Sequence, residues 1–131
     1  MSTQDITADM FTRIRNACAV KKRNCIVRFS KFNMDISSLL KKEGYIMDFR
    51  KSSDDKTISI RLKYFYKNSS IDCIERISKP SRRVYKCCKD IKRMQVLNGN
   101  GILIVSNNKG VMSDTDAKAL NLGGEIIGRV Y

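Results

Sequence analysis

Ser106-Asn107-Asn108-Lys109-Gly110 sets three consecutive hydrogen-bonding side chains ahead of a cation and a glycine. Serine and asparagine both donate and accept, so such a run can match the polar edges of a ligand. Gly110 permits a positive φ or a close backbone approach. The run follows Ile102-Leu103-Ile104-Val105, an apolar stretch suited to a buried strand, which would hold the polar groups at the end of a rigid element. A different chemistry lies upstream. Arg76 to Arg93 holds eight basic residues against one acid, Asp90, a net +7 within eighteen residues. From Gly99 to Tyr131, Lys109, Lys118 and Arg129 balance Asp114, Asp116 and Glu125. This split fits recognition of a polyanion: the basic stretch attracts phosphates without regard to sequence, and the neutral polar turn discriminates locally.

The whole chain supports that direction. Its 131 residues carry 26 Lys+Arg against 13 Asp+Glu, a net charge of +13. With a pI near 9.8, nucleic acid is the expected partner. No apolar stretch approaches the roughly 18 residues of a membrane span. No helix pairs a basic face with a continuous apolar one, so no membrane surface is expected as a partner. The N-terminus, Met1-Ser2-Thr3-Gln4-Asp5, lacks the pattern of an export leader.

Catalysis finds little support. There is no histidine, so the five cysteines (18, 25, 73, 87 and 88) lack the usual activating base. Their odd number and the absence of C-x-x-C spacing argue against a disulfide framework and a zinc site, and fit reduced thiols. Asp54-Asp55 falls in a loop, and Asp114 and Asp116 fit the start of a helix. No glycine-rich phosphate loop is present. No cofactor, metal or enzymatic activity is expected.

The elements that would position these groups form two lobes, 1–66 and 71–131. Asp5 can cap a first helix whose stripe is Ile6, Met10, Ile14 and Cys18, flanked by Phe11 and Ala17. Lys21-Lys22-Arg23-Asn24 follows as a basic loop, and 25–29 as a strand. Ser30 caps a second helix that turns Ile36, Leu39 and Leu40 inward and ends at Gly44. Strands over 45–50 and 57–64 carry apolar sides Tyr45/Met47/Phe49 and Ile58/Ile60/Leu62/Tyr64, joined by a hairpin loop at 52–56. Lys67-Asn68-Ser69-Ser70 marks the break between lobes. In the second lobe, 71–77 and 83–86 are predicted strands, with a turn at Lys79-Pro80-Ser81. A helical turn is predicted within 89–96 and a loop at 98–101. Ser113 caps a short helix with Asp116 at its third position, and a final strand follows. Tyr85 has two readings, a cross-strand core residue or an exposed ring.

The order Ser106-Asn107-Asn108-Lys109-Gly110-Val111-Met112-Ser113-Asp114, then a helix, then Gly123-Gly124-Glu125, resembles the C-terminal signature of bacterial-type small-subunit ribosomal protein eight. Agreement extends along the chain: 5–17 looks like that family's opening helix, Lys42-Glu43-Gly44-Tyr45-Ile46 like its helix-to-strand corner. Leu62-Lys63-Tyr64, Ile77-Ser78-Lys79-Pro80 and Arg83-Val84-Tyr85 match its hairpin and central segment. Asn107-Asn108 replace Thr-Ser, Ser81-Arg82 replace Gly-Leu, Asn100 replaces an apolar residue and Ile6 a proline.

The resemblance implies an α+β fold of two small packed lobes. The N-terminal lobe is α/β (helix-strand-helix-strand-strand) and the C-terminal lobe mostly β with a short helix, the latter binding RNA. It implies binding to the central domain of 16S-type rRNA during assembly, beside neighbouring small-subunit proteins, in a cytoplasmic or organellar ribosome. By position, Ser106, Asn107, Asn108, Lys109 and Gly110 form the main RNA turn. Tyr85 and Gly123, Gly124 and Glu125 lie in the same region, with Arg83 and Lys31 as phosphate contacts. Some members also bind their own messenger RNA and repress translation, which is the alternative reading. A-form RNA hides its base edges in a deep groove, so small polar side chains suit its minor-groove hydroxyls and unpaired bases.

Overall fold

The computed structural model describes residues 6–93 and 101–131. The elements, in order, are α1 (Ile6–Ala19), β1 (Asn24–Arg28), α2 (Lys31–Lys42), β2 (Ile46–Lys51), β3 (Thr57–Leu62), β4 (Tyr64–Phe65), β5 (Asn68–Ser69), β6 (Ile74–Arg76), β7 (Tyr85–Lys86), α3 (Cys88–Arg93), β8 (Ile102–Asn107), β9 (Gly110–Ser113), α4 (Asp114–Ala119) and β10 (Gly124–Val130). They make an α+β protein of two compact units, 1–72 and 73–131. The predicted cap at Asp5, the end of the 89–96 helical turn and the loop residues 98–100 lie outside the described residues.

In the first unit β3 is the central strand, in the order β1-β3-β2, all antiparallel. Ile58, Ile60 and Leu62 alternate inward from β3 and are buried, as are Met10, Phe11 and Ile14 of α1 and Ile36, Leu39 and Leu40 of α2. The α1 stripe is buried as expected at Met10, Phe11, Ile14 and Ala17, while Ile6 and Cys18 at its ends are half-buried. Ser30 caps α2 as expected, its Oγ accepting from the Asn33 N–H at 3.0 Å. Asn33 itself is buried and satisfied, donating to the Arg28 carbonyl at 3.0 Å and bonding Thr7 of α1 at 3.2 Å. One short amide thus ties α1, β1 and α2 together.

Strand β2 departs from simple alternation. Its register with β3 shifts between Ile46 and Asp48, and this bulge turns Met47 out to 53% exposure. An extra residue in one strand moves every side chain beyond it to the opposite face, which alternation alone cannot foresee. Tyr64 also leaves β3. It begins a small unforeseen hairpin, β4-β5, in which Tyr64 faces Ser69 and Phe65 faces Asn68.

The second unit is a five-stranded antiparallel sheet in the order β6-β10-β8-β9, with β7 pairing the start of β10. The strand expected over 71–77 is confined to β6. Leu103, Val105, Met112 and Ile126 form its core with Ile91 of α3 and Ala117 of α4. Ser113 caps α4 as expected, accepting from the Asp116 N–H at 3.2 Å. The buried Asp114 carboxylate accepts from the Leu103 N–H at 3.3 Å and lies 3.6 Å from Lys118 Nζ. That placement makes Asp114 a fastener between α4 and β8.

Candidate nucleic-acid interface

The polar run is the tip of a hairpin. Ser106 and Asn107 are the last residues of β8, Asn108 and Lys109 make the turn, and Gly110 opens β9, paired with Asn107. Strand β9 was not anticipated, because its four residues, Gly110–Ser113, are too short to show alternation. Gly110 takes φ +114°, which glycine allows at little cost.

The two asparagines differ. Asn107 turns back on its own loop: its Oδ1 accepts from the Lys109 N–H at 2.8 Å, and its Nδ2 donates to Met112 Sδ at 3.4 Å. This side-chain bond to the backbone two residues on shapes the turn from within. Asn108, Lys109 and Gly110 are exposed.

Cross-strand register assembles the remaining residues. Ser106 faces Val111 on one side and Glu125 on the other, and Glu125 faces Tyr85. Directly opposed residues in antiparallel strands share a face, so Tyr85, Glu125 and Ser106 form one row across β7, β10 and β8. Tyr85 is 67% exposed, which decides between its two readings in favour of the exposed ring.

The glycines make this close assembly possible. A Cβ on Gly124 would stand 2.4 Å from the Ser106 carbonyl oxygen and 3.1 Å from Asn107 Cβ. A Cβ on Gly123 would stand 2.5 Å from the Lys86 carbonyl oxygen. Both approaches are to backbone atoms, which cannot swing aside.

Glu125 is held from within the unit. Its Oε2 accepts from the Ser78 hydroxyl and from Arg83 Nη1 at 3.1 Å. Ser78, wholly buried, also accepts from the Val84 N–H at 3.2 Å. The Ile126 N–H donates to the Val84 carbonyl, and the Ser78 N–H to the Ile126 carbonyl. Ser78 therefore locks the segment bearing Arg83 and Tyr85 onto β10. Sequence reading did not single it out; only its place in Ile77-Ser78-Lys79-Pro80 could have drawn attention to it.

The turn before Tyr85 forms with Pro80 and Ser81 at its corner. Lys79 and Arg82 exchange two backbone hydrogen bonds of 2.9 Å. Arg82, Arg83, Lys86, Lys89 and Arg93 are all exposed, and of these only Arg83 is ion-paired to a described residue. Nearby, the Cys87 thiol donates to Asp90 at 3.4 Å. Lys31, in the first unit, is exposed at the first position of α2. Among the described residues no group of His, Cys, Asp or Glu could hold a metal ion, and no helix is long and apolar enough to cross a membrane.

The chain is a small basic α+β protein whose strand ends gather hydrogen-bonding groups on one surface. The ribosomal protein S8 family profile matches residues 5–131. The small ribosomal subunit protein uS8 of Wolbachia pipientis subsp. Culex pipiens is 44% identical over 133 residues, covering all of both chains. Those of Alteromonas mediterranea and Pseudoalteromonas atlantica are 47% and 46% identical over 131 residues, covering 99% of each chain. The chain belongs to the ribosomal protein S8 (uS8) family, and is a non-enzymatic structural protein of the small ribosomal subunit.

Proposed function

We propose that the second unit binds the central domain of 16S-type rRNA as the small subunit assembles. The observation that carries this reading is the row Tyr85–Glu125–Ser106, continued into the exposed Asn108-Lys109-Gly110 tip. An exposed ring, a hydroxyl and a polar turn stand together there on strands fixed by two glycines.

In this mechanism Ser106 and Asn108 supply the hydrogen bonds that discriminate among RNA shapes, through 2′-hydroxyls and unpaired bases. Asn107 and Gly110 hold the tip in shape. Tyr85 packs against a ribose or base. Glu125 organises the row through Ser78 and Arg83, and the free edge of the Arg83 guanidinium, with Lys109 and Lys31, meets phosphates. Arg82, Lys86, Lys89 and Arg93 add affinity that is indifferent to sequence. Neutralising about six phosphates would give a log K against log salt slope of roughly −4 to −5.

The test is binding to an rRNA central-domain fragment and to an unrelated hairpin, each at two salt concentrations. Preference for the fragment at both is expected; equal affinity for the two RNAs would sink the reading. If a hairpin from the chain's own messenger RNA competes for the same surface, the reading extends to translational repression.

A further inference from the structure

The most exposed large apolar side chains of the described residues lie in the first unit, on the β4-β5 hairpin. Phe65 is 70% exposed and Tyr66 89%. Their rings meet edge to face, with centroids 4.7 Å apart. Exposing both rings in water is unfavourable, and their burial against a partner would be favourable. The backbone adds a second oddity: Tyr66 takes φ +57°, a left-handed conformation that a residue with a Cβ adopts at a cost.

The hairpin is nonetheless firmly held. Tyr64 and Phe65 pair with Ser69 and Asn68, and the Ser70 N–H donates to the Lys63 carbonyl at 2.9 Å. The Tyr64 hydroxyl donates to the Lys22 carbonyl, joining the hairpin to the basic loop Lys21-Lys22-Arg23. That contact brings the basic loop to the start of the hairpin. Between Lys56 and Ile71 the chain carries Lys56, Arg61, Lys63 and Lys67 and no acid; between Met10 and Met34 it carries seven basic residues and no acid. The five cations nearest in sequence to the rings and the Tyr64 contact, Lys21, Lys22, Arg23, Lys63 and Lys67, are all exposed, and none is ion-paired to a described residue.

We propose that Phe65 and Tyr66 form a second RNA-binding site, which stacks an unpaired base while the surrounding lysines hold its phosphates. Charge decides the occupant. An apolar protein groove could cover two rings, but it would leave the exposed flanking cations Lys63 and Lys67 unmatched, whereas single-stranded RNA offers flat π-faces and phosphates together. The site rests on the chain's place in the small subunit and is independent of the Ser106 tip, which lies in the other unit. Stacking reads only that a base is unpaired, so this site would engage a loop or bulge with little regard to sequence.

The test compares the affinity of the full chain for a single-stranded uridine decamer with that for an abasic decamer of the same charge. One stacked base should favour the uridine strand by roughly 5- to 150-fold. Phe65→Leu with Tyr66→Leu keeps the patch apolar but removes the π-faces, and should cut the ratio about fivefold or more. Leu120→Ala, at an exposed apolar side chain of the second unit, serves as control and should leave the preference unchanged. Tyr66→Gly relieves the backbone and should raise Tm while lowering the ratio. The proposal is overturned if the double-leucine variant keeps the wild-type ratio, or if it loses affinity equally for both strands. It is also overturned if that variant binds the uridine strand normally but fails to enter small-subunit particles, since the rings would then face protein.

Discussion

Gly124 lies so close to Ser106 that a single added carbon would stand 2.4 Å from the Ser106 carbonyl oxygen. The approach sets the spacing of β10 and β8 at the point where the polar tip begins. Gly124→Ala must push the strands apart or bend one of them. Destabilisation of about 1–3 kcal/mol is expected, the range of overpacking in a close-packed core. Urea unfolding would measure it, and rRNA affinity should fall further than stability alone explains. Gly123→Ala, aimed at the Lys86 carbonyl, should behave alike.

Asn107 and Asn108 are neighbours with different work. Asn107 bonds to the Lys109 N–H and to Met112, whereas Asn108 is exposed at the turn. Asn107→Ala should lower stability by about 1 kcal/mol, and Asn108→Ala by less than about 0.5 kcal/mol. Thermal unfolding checks the first half, and RNA binding the second: Asn108→Ala should lose discrimination while remaining folded.

Ser78 is buried between Glu125 and the Val84 N–H. Ser78→Ala deprives both of a partner and should cost about 1–3 kcal/mol. A double-mutant cycle with Glu125→Gln should give a coupling energy of about 0.5–3 kcal/mol, as for residues sharing one network. Additive effects would mean that Ser78 acts on Val84 alone.

Burial raises the Cys25 thiol to about 11 from its ordinary 9.0, with Arg13 and Lys22 opposing the shift. The unfolded chain therefore loses this proton before the folded one does. Stability contributed by the neutral thiol is complete below pH 9.0 and declines as pH rises toward about 11. Cys25→Ala should flatten that part of the stability–pH curve. In the native protein at pH 8, an alkylating reagent should modify exposed Cys87 well before Cys25, as mass spectrometry of partly labelled protein would show.

Much of the frame was legible in the chain. Ser30 and Ser113 announced their helices, because caps are local chemistry, and the alternation of Ile58, Ile60 and Leu62 marked a half-buried strand. What escaped depends on partners distant in sequence. Met47 is turned outward by a bulge against β3, and β9 is too short for periodicity. The importance of Ser78 arises only when Glu125, far along the chain, folds against it. At the candidate site, the string Ser106 to Gly110 was visible as a polar run, but its hairpin form and the inward turn of Asn107 follow from pairing with β9. Tyr85 could not be assigned from its own neighbourhood, since a strand residue faces core or water according to the register that β10 imposes.

The central claim is that the Ser106–Asn108 tip selects the RNA and the 82–93 cations hold it. The most direct measurement is the ratio of affinities for the rRNA central-domain fragment and an unrelated hairpin, taken across salt. Ser106→Ala with Asn108→Ala should lower that ratio about tenfold or more, for two hydrogen bonds near 1 kcal/mol each, and leave the salt slope unchanged. Arg82→Gln with Lys86→Gln and Lys89→Gln should weaken both RNAs alike and make the slope shallower by roughly 2 to 3. A tip variant with an unchanged ratio, or a charge variant that alone abolishes the preference, would contradict the account.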